Sequence, residues 1–217
     1  LDVLIGPGSI VINLAYLNND TRATNVEGLQ NVLAVCMRKR IKKFIHISTA
    51  VVAGRASALE INEKVVDVPF SEYEKTKLEL EDLVVSTFSY TNTASVILRP
   101  TAVFGDLGKN AIKIIDEIIE GNLVKNYIKT CLFNNRRLNL LPVSYLVSAI
   151  TFFIAKQSLE NNDVFIVSAD DEIDNNYQYV EQTIRQSLGL KNHLIPIIPV
   201  PKFVLTIFLK LMGRSNI

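Results

Sequence analysis

Ser71-Glu-Tyr-Glu-Lys-Thr-Lys-Leu-Glu-Leu-Glu-Asp-Leu-Val84 is the stretch from which the rest of the chain can be interpreted. Its leucines and valine recur at helical spacing while acidic residues fill the other side, so it predicts an amphipathic helix. Within this helix Tyr73 and Lys77 are four residues apart, which places a phenol and an ammonium on one face. Because a nearby ammonium favours the phenolate, we predict that Lys77 lowers the pKa of Tyr73. Taken alone, the pair also fits a solvated helix face.

The composition indicates a globular protein without a charge-driven partner. The chain has 217 residues, of which 48% are apolar and 21% charged, and its net charge is +1. A chain of this length can bury one large core, or one core and a small lobe. The balanced charge argues against nucleic-acid binding.

The cysteines and the apolar segments indicate in which cellular compartment the protein is expected. Cys36 and Cys131 are far apart and lack metal-ligand spacing, which predicts a reducing compartment with no disulfide and no metal site. We see no signal peptide and expect a cytoplasmic location. No membrane span is expected, since the longest apolar segment, residues 203–212, is too short and contains Lys210.

Three apolar segments of strand length alternate with predicted helices. The strands are residues 9–15, 44–48 and 94–99, and the helices are residues 25–37 and 71–84. This alternation predicts an α/β fold with a doubly wound, Rossmann-like parallel sheet, in which ligands bind at the carboxyl ends of the strands. We expect the three strands to be neighbours that all point the same way.

After residue 105 the pattern changes to shorter elements. We predict a cofactor-binding domain over residues 1–105 and a smaller substrate lobe over residues 106–217, from which residues 163–168 return to the sheet. The predicted elements of this part are helices at 110–120, 145–156 and 177–188, strands at 138–143 and 163–168, an extended segment at 195–201 and a final helix.

Three motifs occur in a fixed order along the chain. They are Ser48-Thr-Ala-Val-Val-Ala-Gly54, Tyr73-Glu-Lys-Thr-Lys77 and Leu98-Arg-Pro-Thr-Ala-Val-Phe-Gly105. Together they resemble the extended short-chain dehydrogenase/reductase superfamily, in particular its NAD-dependent nucleotide-sugar epimerase/dehydratase family. Residues 9–15 and Asn25-Val-Glu-Gly28 also look like segments of that family.

The resemblance implies an enzyme with a three-residue site. Tyr73 would be the general acid/base, and Lys77 would lower its pKa and hold the nicotinamide ribose. Thr49 would hydrogen-bond the tyrosine and the substrate oxygen. The implied cofactor is NAD, with NADP as the alternative, and the implied substrate is a nucleotide-activated sugar. The family also implies a homodimer formed through the Tyr73 helix and the helix at 25–37.

Further contacts are implied by the same resemblance. The remaining cofactor-binding candidates are Asn13, Ala15, Ser48, Pro100, Thr101 and Val103. Substrate contacts are assigned to Thr49, Asn110 and Arg137. Arg136 and Arg137 could clamp a diphosphate, and a solvated pair is the alternative. His46 lies between isoleucines in a predicted strand, which favours a core histidine over a catalytic one.

The sequence also departs from the family pattern. The glycine-rich strand-to-helix turn is absent, since Gly6-Pro-Gly8 has the wrong spacing, so we expect about three strands and two helices upstream of this sequence. The strand at 9–15 should then have one bare edge. Ala50 and Val51 stand where dehydratases carry an Asp-Glu pair, which argues against dehydration. A reductase of a non-sugar carbonyl and a non-catalytic dinucleotide-binding regulator remain as alternatives.

Overall fold

The computed structural model describes residues 2–18, 20–56, 60–105, 108–157, 162–201 and 204. The strands are β1 (Ile10–Asn13), β2 (Lys43–Ile47), β3 (Ala94–Pro100), β4 (Ala102–Phe104), β5 (Leu140–Pro142) and β6 (Asp163–Val167). The helices are α1 (Arg22–Lys39), α2 (Glu72–Phe88), α3 (Lys109–Glu120), α4 (Leu123–Phe133), α5 (Val143–Ala155) and α6 (Tyr177–Ser187), with a short 3-10 helix at Ala50–Ala53. The last predicted helix, at 203–212, falls almost wholly outside the described residues.

The chain divides into two compact units. The sheet unit comprises Leu1–Thr101 and Val143–Ser168, and the second unit comprises Ala102–Pro142 and Ala169–Ile217. Helix α5 therefore belongs to the sheet unit together with β6, whereas the sequence analysis named only residues 163–168 as returning to it.

The sheet unit contains a four-stranded parallel sheet in the order β1-β2-β3-β6. Ile12 pairs with Ile45 in the β1–β2 ladder, and Ile45 pairs with Val96 in the β2–β3 ladder. Apolar runs of this kind suit strands that are buried on both faces. The prediction that the three strands are parallel neighbours is confirmed.

Strand β1 lies at one margin of this sheet. Among the described residues it pairs with β2 alone, so its other side carries no strand there.

Helices cover both faces of the sheet. On one face Leu33 of α1 and Val84 of α2 pack with Phe44 of the sheet in a single buried cluster. On the other face Phe153 of α5 packs against Ile45 and neighbouring strand residues. The sheet is therefore doubly wound, as its alternating elements predict.

A buried lysine attaches α5 to the sheet. Lys43 Nζ donates to the backbone oxygens of Phe153, Ile154 and Lys156 at the end of that helix, over 2.5, 3.1 and 2.6 Å. Terminal helix carbonyls carry partial negative charge and lack intrahelical partners, so they are suitable acceptors for an ammonium. These bonds compensate the burial, which lowers the pKa of Lys43.

Helix α2 begins with a capping box. Ser71 Oγ accepts a hydrogen bond from the Glu74 backbone N–H at 3.2 Å, and the Glu74 carboxylate accepts from the Ser71 backbone N–H at 3.3 Å. Reciprocal bonds of this type satisfy donors that the first helical turn leaves free. They fix the start of the helix, whose N-cap Ser71 lies two residues before Tyr73.

Gly54 joins the 3-10 helix to the segment before α2, and replacing it should destabilise the protein. Its φ is +56°, and an added Cβ would lie 2.0 Å from the Val68 backbone oxygen. We expect Gly54→Ala to lower the free energy of unfolding by roughly 2 kcal/mol or more, since both strain and overlap oppose it.

Urea denaturation of Gly54→Ala measures this loss, and Gly28→Ala is the matched control. Gly28 lies within α1, where an added Cβ meets nothing within 4 Å. The same substitution there should raise stability by roughly 0.5–1 kcal/mol, because alanine is the better helix former. Equal effects at both positions would contradict the argument.

The second unit holds the parallel pair β4–β5 with α3, α4 and α6. The sequence analysis did not predict α4. Its buried side is polar, with Asn126 and Thr130 among its buried residues, so the apolar periodicity that marks a helix is weak. Asn122 caps it by accepting a hydrogen bond from the Lys125 N–H at 2.8 Å. Among the described residues, no helix is long and apolar enough to cross a membrane.

Candidate functional site

Three predicted site residues converge in the sheet unit. Thr49 follows the carboxyl end of β2, while Tyr73 and Lys77 lie in the first turns of α2. The Thr49 side chain lies close enough to the Tyr73 hydroxyl to lower the pKa of that tyrosine. Lys77 Nζ donates to the Ile47 backbone oxygen at 3.2 Å. Packing of α2 on the sheet thus brings together groups that are 24 to 28 residues apart in sequence.

Tyr16, which the sequence analysis did not select, completes this cluster. Lys77 Nζ lies 4.5 Å from the centroid of the Tyr16 ring. The same ring meets Tyr73 edge to face, with centroids 5.2 Å apart and planes at 90°. Tyr16 stands in the loop after β1, where no periodicity marks it as buried or functional. Its neighbour Ala15, a predicted cofactor contact, is exposed in the same loop.

Burial governs the acid–base properties of the site. Lys77 is only 5% exposed, and this desolvation lowers its pKa to about 8, while the Glu81 carboxylate opposes the shift. Burial also raises the pKa of Tyr73, against a lowering by the Thr49 hydrogen bond and with a further increase from Tyr16. Tyr73 is therefore a neutral phenol at neutral pH.

The net shift in the pKa of Tyr73 is upward, whereas the sequence analysis predicted a lower pKa from the neighbouring Lys77. The two residues share a helix face, as expected, but Lys77 Nζ contacts the Ile47 oxygen and the Tyr16 ring. Desolvation is the largest influence on Tyr73, and it acts in the opposite direction. The four-residue spacing alone did not reveal where the ammonium points.

Asn13 and His46 are bonded to each other inside the sheet. Asn13 Nδ2 lies 3.0 Å from His46 Nδ1, and the Ala15 backbone N–H donates to Asn13 Oδ1 at 3.4 Å. His46 is fully buried, and desolvation lowers its pKa to about 3, so it is a neutral core histidine as the sequence favoured. Asn13, a predicted cofactor contact, is also buried.

Two buried hydroxyls lie at the carboxyl edge of the sheet. Ser48 follows β2 and Thr101 follows β3, and these strands are parallel neighbours. In the described part of the chain, neither Ser48 Oγ nor Thr101 Oγ1 has a hydrogen-bond partner. Buried hydroxyls are normally satisfied, so both are suited to bonding a polar ligand at this edge. Pro100, also a predicted cofactor contact, pairs with Val167 at the end of β3.

The other predicted contacts lie in the second unit. Val103 is in β4 and Asn110 is in the first turn of α3, where its side chain lies outside the described atoms. Arg137 is exposed, and its backbone bridges to Asn176. Its charge counteracts the burial that raises the pKa of Asp170.

The residues that the structure describes do not support a metal site. They contain no group of three or more His, Cys, Asp or Glu side chains able to hold a metal ion.

Fold and sequence together define the class of protein. The doubly wound parallel sheet is that of the extended short-chain dehydrogenase/reductase superfamily. An NAD-binding family model described as "Male sterility protein" matches residues 2–150, and the chain belongs to that family.

Curated relatives of similar sequence are sugar-nucleotide enzymes. A UDP-glucose 4-epimerase of Vibrio cholerae is 25% identical over 198 residues, which cover 90% of this chain and 58% of the relative. A dTDP-D-glucose 4,6-dehydratase of Dictyostelium discoideum is 28% identical over 189 residues, covering 76% of this chain and 42% of the relative. The chain therefore spans about half the length of these relatives.

A solved structure of similar fold is a UDP-glucuronic acid 4-epimerase from Bacillus cereus in complex with NAD. It superposes with a TM-score of 0.67 at 19% identity, covering 88% of this chain and 61% of the solved chain. This likeness confirms the fold expected from the sequence.

Proposed function

We propose that the protein is an NAD-dependent epimerase or oxidoreductase that acts on a nucleotide-activated sugar. The observation that carries this proposal is the convergence of Thr49, Tyr73 and Lys77 at the carboxyl edge of the sheet. The UDP-glucose 4-epimerase and the dehydratase among the relatives support the substrate class.

The described residues fit a nicotinamide dinucleotide at this edge. Ser48 and Thr101 offer buried hydroxyls without partners in the described part of the chain, and Lys77 offers N–H donors at the end of β2, where it bonds the Ile47 oxygen. These groups suit the hydroxyls and carboxamide of such a cofactor. When bound, the cofactor supplies the hydride acceptor.

Proton transfer falls to the protein. A sugar hydroxyl that is oxidised must lose its proton to a nearby base, and the candidate base is the phenolate of Tyr73, whose side chain is 40% exposed. The phenolate forms when the Tyr73 phenol releases its own proton to solvent, and it becomes the phenol again on taking up the sugar proton. Thr49 would orient both oxygens. Lys77, while protonated, would stabilise the phenolate that forms, although burial makes this ammonium lose its proton at a lower pH than usual.

A cavity in the second unit favours a second candidate function. The cavity has a volume of about 340 Å³ and is lined mainly by apolar side chains such as Phe104, Ile114, Leu140 and Ile184, and by Glu172 and Asp174. No lysine, arginine or histidine is among the described residues that line it. A diphosphate needs basic donors, so this cavity suits an uncharged apolar group instead. It favours a reductase of a non-sugar carbonyl as the alternative function.

The experiment uses the full-length protein. Calorimetric titration with NAD and NADP measures cofactor binding, and a panel of UDP- and dTDP-sugars is scored for epimerisation and for NAD reduction. Aliphatic and aromatic aldehydes form a second panel, scored for NADH or NADPH oxidation. Turnover of a nucleotide sugar supports the proposal, whereas turnover of aldehydes alone establishes the alternative. Cofactor binding with no turnover on either panel supports a regulator.

The homodimer implied by the family resemblance stays a prediction. Helices α1 and α2 pack side by side on one sheet face, as a shared contact across a two-fold axis requires. We expect the full-length protein to sediment as a dimer at micromolar concentration. A monomer in sedimentation velocity at that concentration would contradict the prediction.

A further inference from the structure

Tyr16 links two elements of the candidate site. It comes from the loop after β1, while its ring contacts Lys77 and Tyr73, both on α2. Its hydroxyl has the Thr76 side chain, on the same helix, as a hydrogen-bonding partner. One residue outside the predicted triad therefore contacts both the ammonium and the phenol ring.

The surroundings of Lys77 indicate what the Tyr16 ring contributes to the site. The ammonium is nearly buried, and it donates a hydrogen bond to the Ile47 backbone oxygen. The charged group that acts on it is the Glu81 carboxylate, which favours the protonated form. The nearby His46 is neutral, and the Lys77 charge helps to lower its pKa. An aromatic face at 4.5 Å also favours the ammonium, since the ring's π face is electron-rich.

We propose that Tyr16 is a positioning residue, whose ring holds the Lys77 ammonium in its charged state and fixes the Tyr73 ring for proton transfer. This inference rests on the proposed function of the Tyr73 and Lys77 pair. The edge-to-face contact restrains the Tyr73 ring, and the ring face replaces part of the water that Lys77 loses on burial.

Three substitutions separate the ring from the hydroxyl and from simple bulk. Tyr16→Phe keeps the aromatic face, Tyr16→Leu keeps apolar bulk without that face, and Tyr16→Met serves the same purpose if the leucine variant does not fold. Tyr90→Leu is the matched control, because Tyr90 is 99% exposed.

The first measurement needs no substrate and no cofactor. The rate at which an amine-acylating reagent labels Lys77 is followed against pH by peptide mass spectrometry, which reports the pKa of that lysine. We expect about 8 in the unsubstituted protein and in Tyr16→Phe, and a fall of about one unit in Tyr16→Leu, because losing the aromatic face disfavours the ammonium. An unchanged Lys77 pKa in Tyr16→Leu overturns the proposal.

The second measurement uses the best substrate of the panels. Tyr16→Leu should lower kcat about tenfold with little change in KM, and Tyr16→Phe should restore it, because the restraint on the Tyr73 ring serves the reacting geometry. Equal losses in both variants would assign the effect to the hydroxyl and overturn the proposal. If no protein turns over any substrate, the proposed function fails, and the labelling result still decides whether Tyr16 controls Lys77.

Discussion

Tyr73→Phe is expected to lower turnover by about 10²–10⁴-fold while leaving the fold and cofactor affinity nearly unchanged. The substitution removes only the hydroxyl, and the ring that packs edge to face against Tyr16 remains. The side chain is 40% exposed, so no buried cavity results. Steady-state kinetics on the best substrate, together with calorimetric NAD binding, measures the effect.

Tyr90→Phe is the control for this substitution, since it removes the same hydroxyl from an exposed surface position. It should retain full activity. Full activity in Tyr73→Phe would remove the tyrosine from the proton-transfer role. A loss confined to KM would instead assign it to substrate binding.

Lys77→Met should lower turnover by about as much as Tyr73→Phe. It should also weaken cofactor binding, because it removes an N–H donor together with the charge.

The same substitution should raise the stability of the folded protein. Burial depresses the pKa of Lys77 to about 8, so in the unfolded chain this group binds more protons than in the folded chain between pH 8 and about 10.5. The contribution of Lys77 to folding therefore becomes more favourable as pH rises through that window. Lys77→Met should therefore raise the melting temperature at pH 7, and the variant should lack the pH dependence of stability that Lys77 contributes between pH 8 and about 10.5.

Arg99→Met should cost about 3–5 kcal/mol of stability, the expected penalty for breaking a buried ion pair. Arg99 Nη2 donates to a Glu81 oxygen and to an Asp67 oxygen, each at 2.7 Å, and its Nε contacts both Glu81 oxygens. Glu81 is only 3% exposed, so the substitution leaves its carboxylate buried without its arginine partner. Chemical denaturation at pH 7 measures the loss.

Two comparisons make this prediction specific. Arg22→Met breaks the exposed Arg22–Glu79 pair and should cost less than about 1 kcal/mol. The double variant Arg99→Met/Glu81→Leu should recover much of the stability, because an apolar pair of similar volume often replaces a buried ion pair without loss. A small loss in Arg99→Met alone would show that the network contributes little. The network also ties α2 to β3, one turn beyond Lys77.

The structure brings together the central residues of the predicted site, and their roles stay a prediction. Tyr73 and Lys77 could be selected because helical spacing is a local property that a sequence displays directly. Thr49 could be selected because a hydroxyl after a buried strand lies at the edge where parallel sheets bind ligands. Tyr16 and the orientation of Lys77 could not be predicted, since both depend on how the loop after β1 meets α2.

The sequence by itself determined the alternation of β1, α1, β2, α2 and β3 and the parallel course of these strands, because apolar runs of strand length alternate with amphipathic helical stretches. It also determined where α2 begins, through Ser71 and Glu74. Only the tertiary structure decided the protonation properties of the site. The pKa values of Tyr73 and Lys77 are set by burial against residues remote in sequence, and desolvation outweighs the charge pairing that their spacing indicates. Likewise, α4 became evident only in the fold, because its buried side is polar, and Asn126 and Thr130 bond the Ile118 backbone oxygen and the Glu181 carboxylate only once the helices pack.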